Sequence, residues 1–255
     1  MGNRLFYIPI RTESLLHCGT FLQQNGFSVT YSPSDQVTHL ILPVPAFQEN
    51  GKFTDGRSVH EILSCIPANV TVIGGNLDVP LLCGYPQFDL LKEEAYLFQN
   101  AAITAECALR IAAEGFPITF SEAPVLILGW GRIGKHLAKL LQGIGADISV
   151  AARKETDLEM ISALGFRPVP YDALLAKPIH WRLVFNTVPA EVMPAKIVKK
   201  FPSNCKMIDL ASSPGIGGNN TIWARGLPGK VAPESSGNLI SKTILEYLSR
   251  KEDAL

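Results

Sequence analysis

Val125-Leu126-Ile127-Leu128-Gly129-Trp130-Gly131-Arg132-Ile133-Gly134 is the stretch that decides the fold. An apolar run of strand character enters G-x-G-x-x-G, and an amphipathic helical pattern follows over 132–143. That order separates a dinucleotide-binding fingerprint from an ordinary glycine-rich turn. Gly129 permits the tight turn, Gly131 lets the backbone approach a pyrophosphate, and Gly134 lets the helix pack close to the strand. The free N–H groups and the positive dipole end of the following helix suit an anion. Trp130, Arg132 and Ile133 complete the turn and join the glycines as cofactor-binding candidates. The second strand ends Val150-Ala151-Ala152-Arg153-Lys154. An acidic residue there would hold the ribose of NAD, whereas Arg153 and Lys154 suit a 2′-phosphate. The expected cofactor is therefore NADP; the competing reading of the two cations is a solvated loop.

Outward from this stretch, strands alternate with helical patterns from end to end, which implies parallel sheets covered by helices. Before it, the pattern predicts strands at 4–10, 27–31, 38–43 and 70–74, with helices at 12–25 and 57–66. The first strand runs into Arg11-Thr12-Glu13 with no glycine fingerprint, so this unit is not expected to bind a dinucleotide. Its loops 43–56 and 74–76 leave the carboxyl ends of strands, where open α/β sheets bind ligands. Residues 89–115 read as a helical bridge in which Thr104 can cap a helix. After it come strands at 125–129, 147–151, 167–170, 182–188 and 206–211, with helices at 132–143, 156–164, 172–177 and 191–200. A last helix over 236–250 carries Leu239, Ile240, Ile244 and Leu248 on one face, which must dock on protein. The tail 251–255 is polar and is expected to fray. The fold class is α/β, with two doubly wound parallel-sheet domains, the second a Rossmann domain, and a C-terminal helix crossing back. The expected boundaries are 1–100 for a small flavodoxin-like domain, 101–120 for the bridge, 121–235 for the NADP-binding domain and 236–255 for the closing helix.

Composition narrows the function classes. The 255 residues are 47% hydrophobic and 18% charged with a formal net charge of zero, enough for a sizeable core and without the basic excess of a nucleic-acid binder. No apolar run reaches the ~20 residues of a membrane span, and the apolar start is too short for a signal peptide. The five cysteines lack paired spacing, so no metal site is expected and a cytoplasmic protein with reduced thiols is.

Other strand ends carry polar residues. Asn186-Thr187-Val188-Pro189 can hold the nicotinamide ribose or carboxamide, or be an ordinary strand-end turn. Asp209 lies in an apolar run, where a charge is costly unless it is paired, so it reads as a structural cap before it reads as catalytic. Ala211 and Ser212, just beyond, count with the cofactor-binding set. Gly226 to Pro233 reads as a stiff loop with a fixed backbone path. Within it, Lys230 either pairs with a substrate carboxylate or is solvated. Of the five histidines only His39, beside a strand, merits attention.

Taken together, Ile41-Leu42-Pro43-Val44, Asn100 to Glu106, Leu128 to Lys135, Ala151 to Lys154, Asn186 to Pro189, Ile208 to Ser212 and Gly226 to Pro233 resemble the A-subunit family of dipicolinate synthase from spore-forming bacteria. The resemblance implies an NADP-dependent oxidation of dihydrodipicolinate to dipicolinate in sporulation. It also implies a small dicarboxylate substrate and a partner, a flavoprotein-like B subunit. Glu106 is then the candidate proton-handling group, against a helix first-turn acid as the plainer reading. Self-association as a homo-oligomer is compatible with all of this. The chain departs from the family pattern between Asp209 and Gly226, where Gly217-Gly218-Asn219-Asn220 leaves little room for the usual helix and strand. Glu234-Ser235-Ser236 also stands where the family has Lys-Thr-Ala. Two other functions remain open: a shikimate-dehydrogenase-like or 2-hydroxyacid oxidoreductase, and a non-catalytic NADP-binding protein that serves a partner.

Overall fold

The computed structural model describes residues 4–47, 51–53, 55–175, 180–218 and 221–253. The chain divides into two compact units, Met1–Asn100 with Pro228–Leu255, and Ala101–Leu227. Each is a parallel sheet flanked by helices.

In the first unit, β1 (Leu5–Tyr7), β2 (Ser28–Thr30), β3 (His39–Ile41), β4 (Thr71–Gly74) and β5 (Gln87–Asp89) lie in the order β2-β1-β3-β4-β5. The helices are α1 (Glu13–Gln24) and α2 (Val59–Leu63). β5 has no counterpart in the sequence pattern, because Phe88 is its one apolar residue and leaves too little pattern to read. The core gathers Tyr7, Leu40, Leu42, Val72 and Leu77. His39 is wedged beside Phe6, ring centroids 4.8 Å apart, with Nδ1 2.8 Å from Thr38 Oγ1. Burial, with Arg4 and Lys251 adding positive charge, pushes its imidazole down to about 4.

The closing helix, α8 (Pro233–Glu252), belongs to this unit and lies against α1. Ser241 Oγ donates to Cys18 O at 3.1 Å, and Tyr247 stacks on Phe88 with centroids 4.0 Å apart. Arg4 and Arg250 tie the far end of α8 to the body through Glu252 (2.8 Å) and Glu93 (2.9 Å). Burial also pushes the Cys18 thiol, at this seam, up to about 12. Ahead of α8, the stretch expected as a rigid loop is a short helix, α7 (Leu227–Val231). Pro228 causes no break because the first turn of a helix needs no N–H there.

In the second unit, β6 (Pro124–Leu128), β7 (Asp147–Ala152), β8 (Arg167–Pro170), β9 (Leu183–Asn186), β10 (Lys206–Asp209) and β11 (Thr221–Trp223) lie in the order β11-β10-β9-β6-β7-β8. Counted from β6 as the first strand, this is the Rossmann order 3-2-1-4-5-6. The helices are α4 (Arg132–Gly143), α5 (Glu155–Ala163) and α6 (Ala195–Val198). β11 corrects one half of the expectation that the segment after Asp209 leaves little room for the usual helix and strand: the strand is there, with Ile222 paired to Ile208 and Trp223 to Asp209, whereas the described residues between β10 and β11 form no helix. Asn219 and Asn220 lie outside the described residues, as do parts of the expected 172–177 helix, the 43–56 loop and the tail. The helix expected over 191–200 shrinks to α6, because Met193 forms a bridge with Ile216 instead.

A long helix, α3 (Glu94–Ala113), carries the chain from one unit to the other. It starts ten residues before Thr104, so Thr104 is a buried mid-helix residue and not a cap. At the other end Lys206 Nζ collects the carbonyls of Ile111 (2.9 Å), Ala112 (3.2 Å) and Glu114. A cation there satisfies acceptors that a helix C-terminus leaves without intrahelical partners. Among the described residues, no helix is long and apolar enough to cross a membrane.

Candidate dinucleotide site

β6 is apolar throughout, and Val125 to Leu128 are fully buried. The chain turns at Gly129, whose φ of +101° is a conformation that side chains rarely adopt. A Cβ there would also lie 2.5 Å from Thr187 Oγ1 and 2.8 Å from Val188 Cγ2. A Cβ on Gly134 would collide with the Gly129 carbonyl oxygen. These two glycines are required by the protein's own packing. Gly131 is different: a Cβ there meets no protein atom within 4 Å. The backbone at that position is open to close approach by a pyrophosphate, the role the second glycine has in the fingerprint. Gly131 also starts α4 without a side-chain cap, which leaves first-turn N–H groups for an anion. Trp130 is buried beside the turn, its Nε1–H 3.5 Å from Met160 Sδ and its ring under Lys135 Nζ at 5.8 Å. Arg132 is exposed and Ile133 half-buried on the first turn of α4.

The turn after β9 packs on this glycine turn. Thr187 Oγ1 donates to Leu128 O at 2.9 Å. Asn186 is wholly buried: its Oδ1 accepts from Val188 N–H (3.0 Å) and its Nδ2 donates to Val188 O (3.0 Å) and Asp209 Oδ1 (2.9 Å). The Asn186 amide thus shapes the turn from inside, and any contact it makes with a nicotinamide would cost those bonds. Val188 and Pro189 form the outer part of the turn. The two turns meet where β6 and β9 lie side by side, the point at which strand order reverses and such sheets bind ligands.

Asp209 explains the next turn. Its Oδ1 also accepts from Ala211 N–H (3.1 Å), and its Oδ2 accepts from Gly215 N–H (2.7 Å) and Ile216 N–H (2.9 Å). A buried charge with four donors is satisfied and structural. It pins residues 211–216 behind the dinucleotide turn, with Ala211 buried and Ser212 exposed. Arg153 and Lys154 are exposed just beyond β7, and Lys154 is the N-cap residue of α5. Burial raises the Tyr171 phenol to about 12 against the lowering influence of Arg153.

The two residues expected to act on substrate are not brought into one unit. Glu106 is exposed in the middle of α3, not in a first turn, so the helix dipole does not account for it. Lys230 is exposed on α7 in the first unit.

The first unit holds a cleft that sequence reasoning did not assemble. It has a volume of about 480 Å³ and is lined by Pro9, Arg11, Thr12, Tyr31, Asp55 and Arg57. These residues come from three separate segments, and the sequence draws attention only to Arg11 and Thr12, for the glycines they lack. The loop after β4, by contrast, is closed: the buried Asp89 carboxylate accepts from the N–H groups of Asn76 (3.2 Å), Leu77 (3.0 Å) and Leu91 (2.9 Å).

Comparison with known proteins bears on both units. Residues 110–199 match the family model "D-isomer specific 2-hydroxyacid dehydrogenase, NAD binding domain". Over 236 residues the chain is 25% identical to the A subunit of dipicolinate synthase from Bacillus subtilis (strain 168), covering 85% of this chain and 80% of that one. The chain is a divergent relative of the dipicolinate synthase A subunit. The resemblance read from its motifs stands. The crystal structure of the same subunit from Bacillus halodurans has a TM-score of 0.80 at 22% identity, covering 96% of this chain and 98% of its own. That of the Bacillus subtilis protein has a TM-score of 0.81 at 20% identity, covering 100% of this chain and 99% of its own. At those identities the solved structures speak for the fold. The family match supports a nicotinamide dinucleotide as cofactor and a dehydrogenase-like function.

Proposed function

We propose that the chain oxidises dihydrodipicolinate to dipicolinate with NADP+, as the A subunit of a two-component synthase in the cytoplasm during sporulation. The observation that carries this reading is the pairing of a dinucleotide turn at the β6/β9 switch point with Arg153 and Lys154 at the end of β7. The similarity to the dipicolinate synthase A subunit supplies the substrate. The nicotinamide, when bound, supplies a two-electron acceptor. Oxidation to the aromatic pyridine would take from the ring one hydride, which that acceptor would receive, and one proton.

The residues divide the work. Gly129 to Gly134 and the first turn of α4 bind the pyrophosphate. Arg153 and Lys154 bind the 2′-phosphate, whose charge a planar fork and an ammonium both match. Thr187, Val188 and Pro189 border the nicotinamide half, and Ala211 with Ser212 continue that border. Within the second unit, Arg132 is the candidate partner for a substrate carboxylate, and Glu106 or water takes the proton. A flavoprotein-like B subunit completes the proposed enzyme.

A second reading, a cofactor-binding protein without its own chemistry, is favoured by Asp209: the buried carboxylate nearest the dinucleotide turn is fully engaged in structure. One assay separates the two readings. Dihydrodipicolinate is generated in situ with the purified chain and NADP+ or NAD+, and pyridine formation is followed against the spontaneous rate. Product above that background, faster with NADP+, is expected. Tight NADPH binding without product from this chain, alone or with the B subunit, leaves the second reading.

A further inference from the structure

The first unit has the flavodoxin-like order β2-β1-β3-β4-β5, in which the strand order reverses between β1 and β3. Ligands of such sheets bind outside the carboxyl ends of the strands at that point. The 480 Å³ cleft sits there: Pro9, Arg11 and Thr12 follow β1, Tyr31 follows β2, and Asp55 and Arg57 lie in the connection after β3. Its recognition chemistry is set by side chains. The β1–α1 turn, Pro9-Ile10-Arg11-Thr12, has no glycine, and Pro9 has no N–H, so it cannot form a backbone cradle for phosphate.

The side chains are held ready. The Arg11 guanidinium lies 5.4 Å over the Tyr31 ring, and the Tyr31 hydroxyl reaches α1 at Gly19. An aromatic face fixes a guanidinium while leaving its N–H edge to bind another group. Arg57 is fastened by Asp55, with Nε to Oδ2 at 2.8 Å, and donates to the Pro9 carbonyl. Two guanidinium groups against one carboxylate leave the lining with an excess positive charge. Glu13, on the first turn of α1, is outside that lining. A planar carboxylate matches the fork of Arg11 in shape and charge.

We propose that this cleft is a binding site for a small carboxylate, with Arg11 as its direct partner, Tyr31 as the platform that orients Arg11, and Arg57 as a second source of positive charge. The choice of an aromatic dicarboxylate as probe rests on the reaction proposed above, whereas the site itself does not. The test is a calorimetric titration of the full chain with pyridine-2,6-dicarboxylate and, separately, with benzoate and inorganic phosphate. The same preparations are titrated with NADPH. Arg11 is exposed, so Arg11→Gln leaves the fold intact. Arg11→Gln is expected to weaken carboxylate binding at least tenfold with NADPH binding unchanged, and Tyr31→Leu to weaken it less. Phosphate is expected to compete poorly. Carboxylate binding that is undetectable, indifferent to Arg11→Gln, or matched by phosphate overturns the site. Benzoate binding that depends on Arg11, without binding of the pyridine dicarboxylate, keeps the site and removes the aromatic dicarboxylate as its ligand.

Discussion

Each unit opens with a strand, a turn and a helix, and the two turns are opposites. Gly129 to Gly134 in the second unit brings backbone to a ligand; Pro9 to Thr12 in the first presents side chains and caps its helix internally. Thr12 Oγ1 accepts the Leu15 N–H at 3.3 Å, whereas Gly131 offers α4 no such cap. A helix that caps itself has less to give an anion at its tip, so the same strand-turn-helix unit ends in two chemically different tips. Among the described residues each unit also holds one buried aspartate that gathers loop N–H groups: Asp89 on the loops after β4 and β5, and Asp209 on the turn after β10.

The comparison can be broken most severely at those carboxylates. Asp209→Ala leaves four donors without their acceptor and should lower stability by about 4 kcal/mol, read by denaturant unfolding. Asp89→Ala, with three N–H groups released, should cost less. Equal, small losses would mean that neither carboxylate organises its loops. Next in size is Gly134→Ala, which drives a methyl into the Gly129 carbonyl and should weaken NADPH binding about 100-fold, near 3 kcal/mol. Arg153→Ala should weaken NADPH about tenfold and leave NADH unchanged, in side-by-side fluorescence titrations. Equal effects on both cofactors would remove the 2′-phosphate reading.

The smaller effects fall in the first unit. His39 has a folded pKa of about 4, against ~6.5 in the unfolded chain. Between those values the unfolded chain binds the proton first. The contribution of His39 is therefore fully present above pH ~6.5 and is lost as pH falls toward 4. The full difference corresponds to about 3 kcal/mol; discounted for the half-buried position of His39, the fall should amount to about 2 kcal/mol, and His39→Phe should flatten it. Thr12→Ala should cost about 1 kcal/mol through the lost cap, with NADPH affinity untouched.

What the sequence made legible was local. A glycine turn between an apolar strand and an amphipathic helix is contained in one short run of consecutive residues, and Arg153 and Lys154 follow the next strand at a fixed interval. Asp209 was visible as a charge among apolar neighbours, but its acceptor role depends on Gly215 and Ile216, which reach it only when the chain folds back. β11 was hidden because three residues between glycines and a loop show no periodicity, and its warrant is pairing with β10. The cleft of the first unit was hidden for the same reason: Arg11, Tyr31 and Arg57 meet across three connections. Gly226 to Pro233 misled because proline and glycine mark turns more often than the first turn of a helix.

The lodging of α8 against α1 carries a consequence for the order of assembly. The second unit is one uninterrupted segment, complete once Leu227 has been made. The first is stitched from both ends of the numbering, and Cys18 must wait for Ser241. On a ribosome the later unit can therefore finish before the earlier one, which holds an uncovered α1 until α8 has been made.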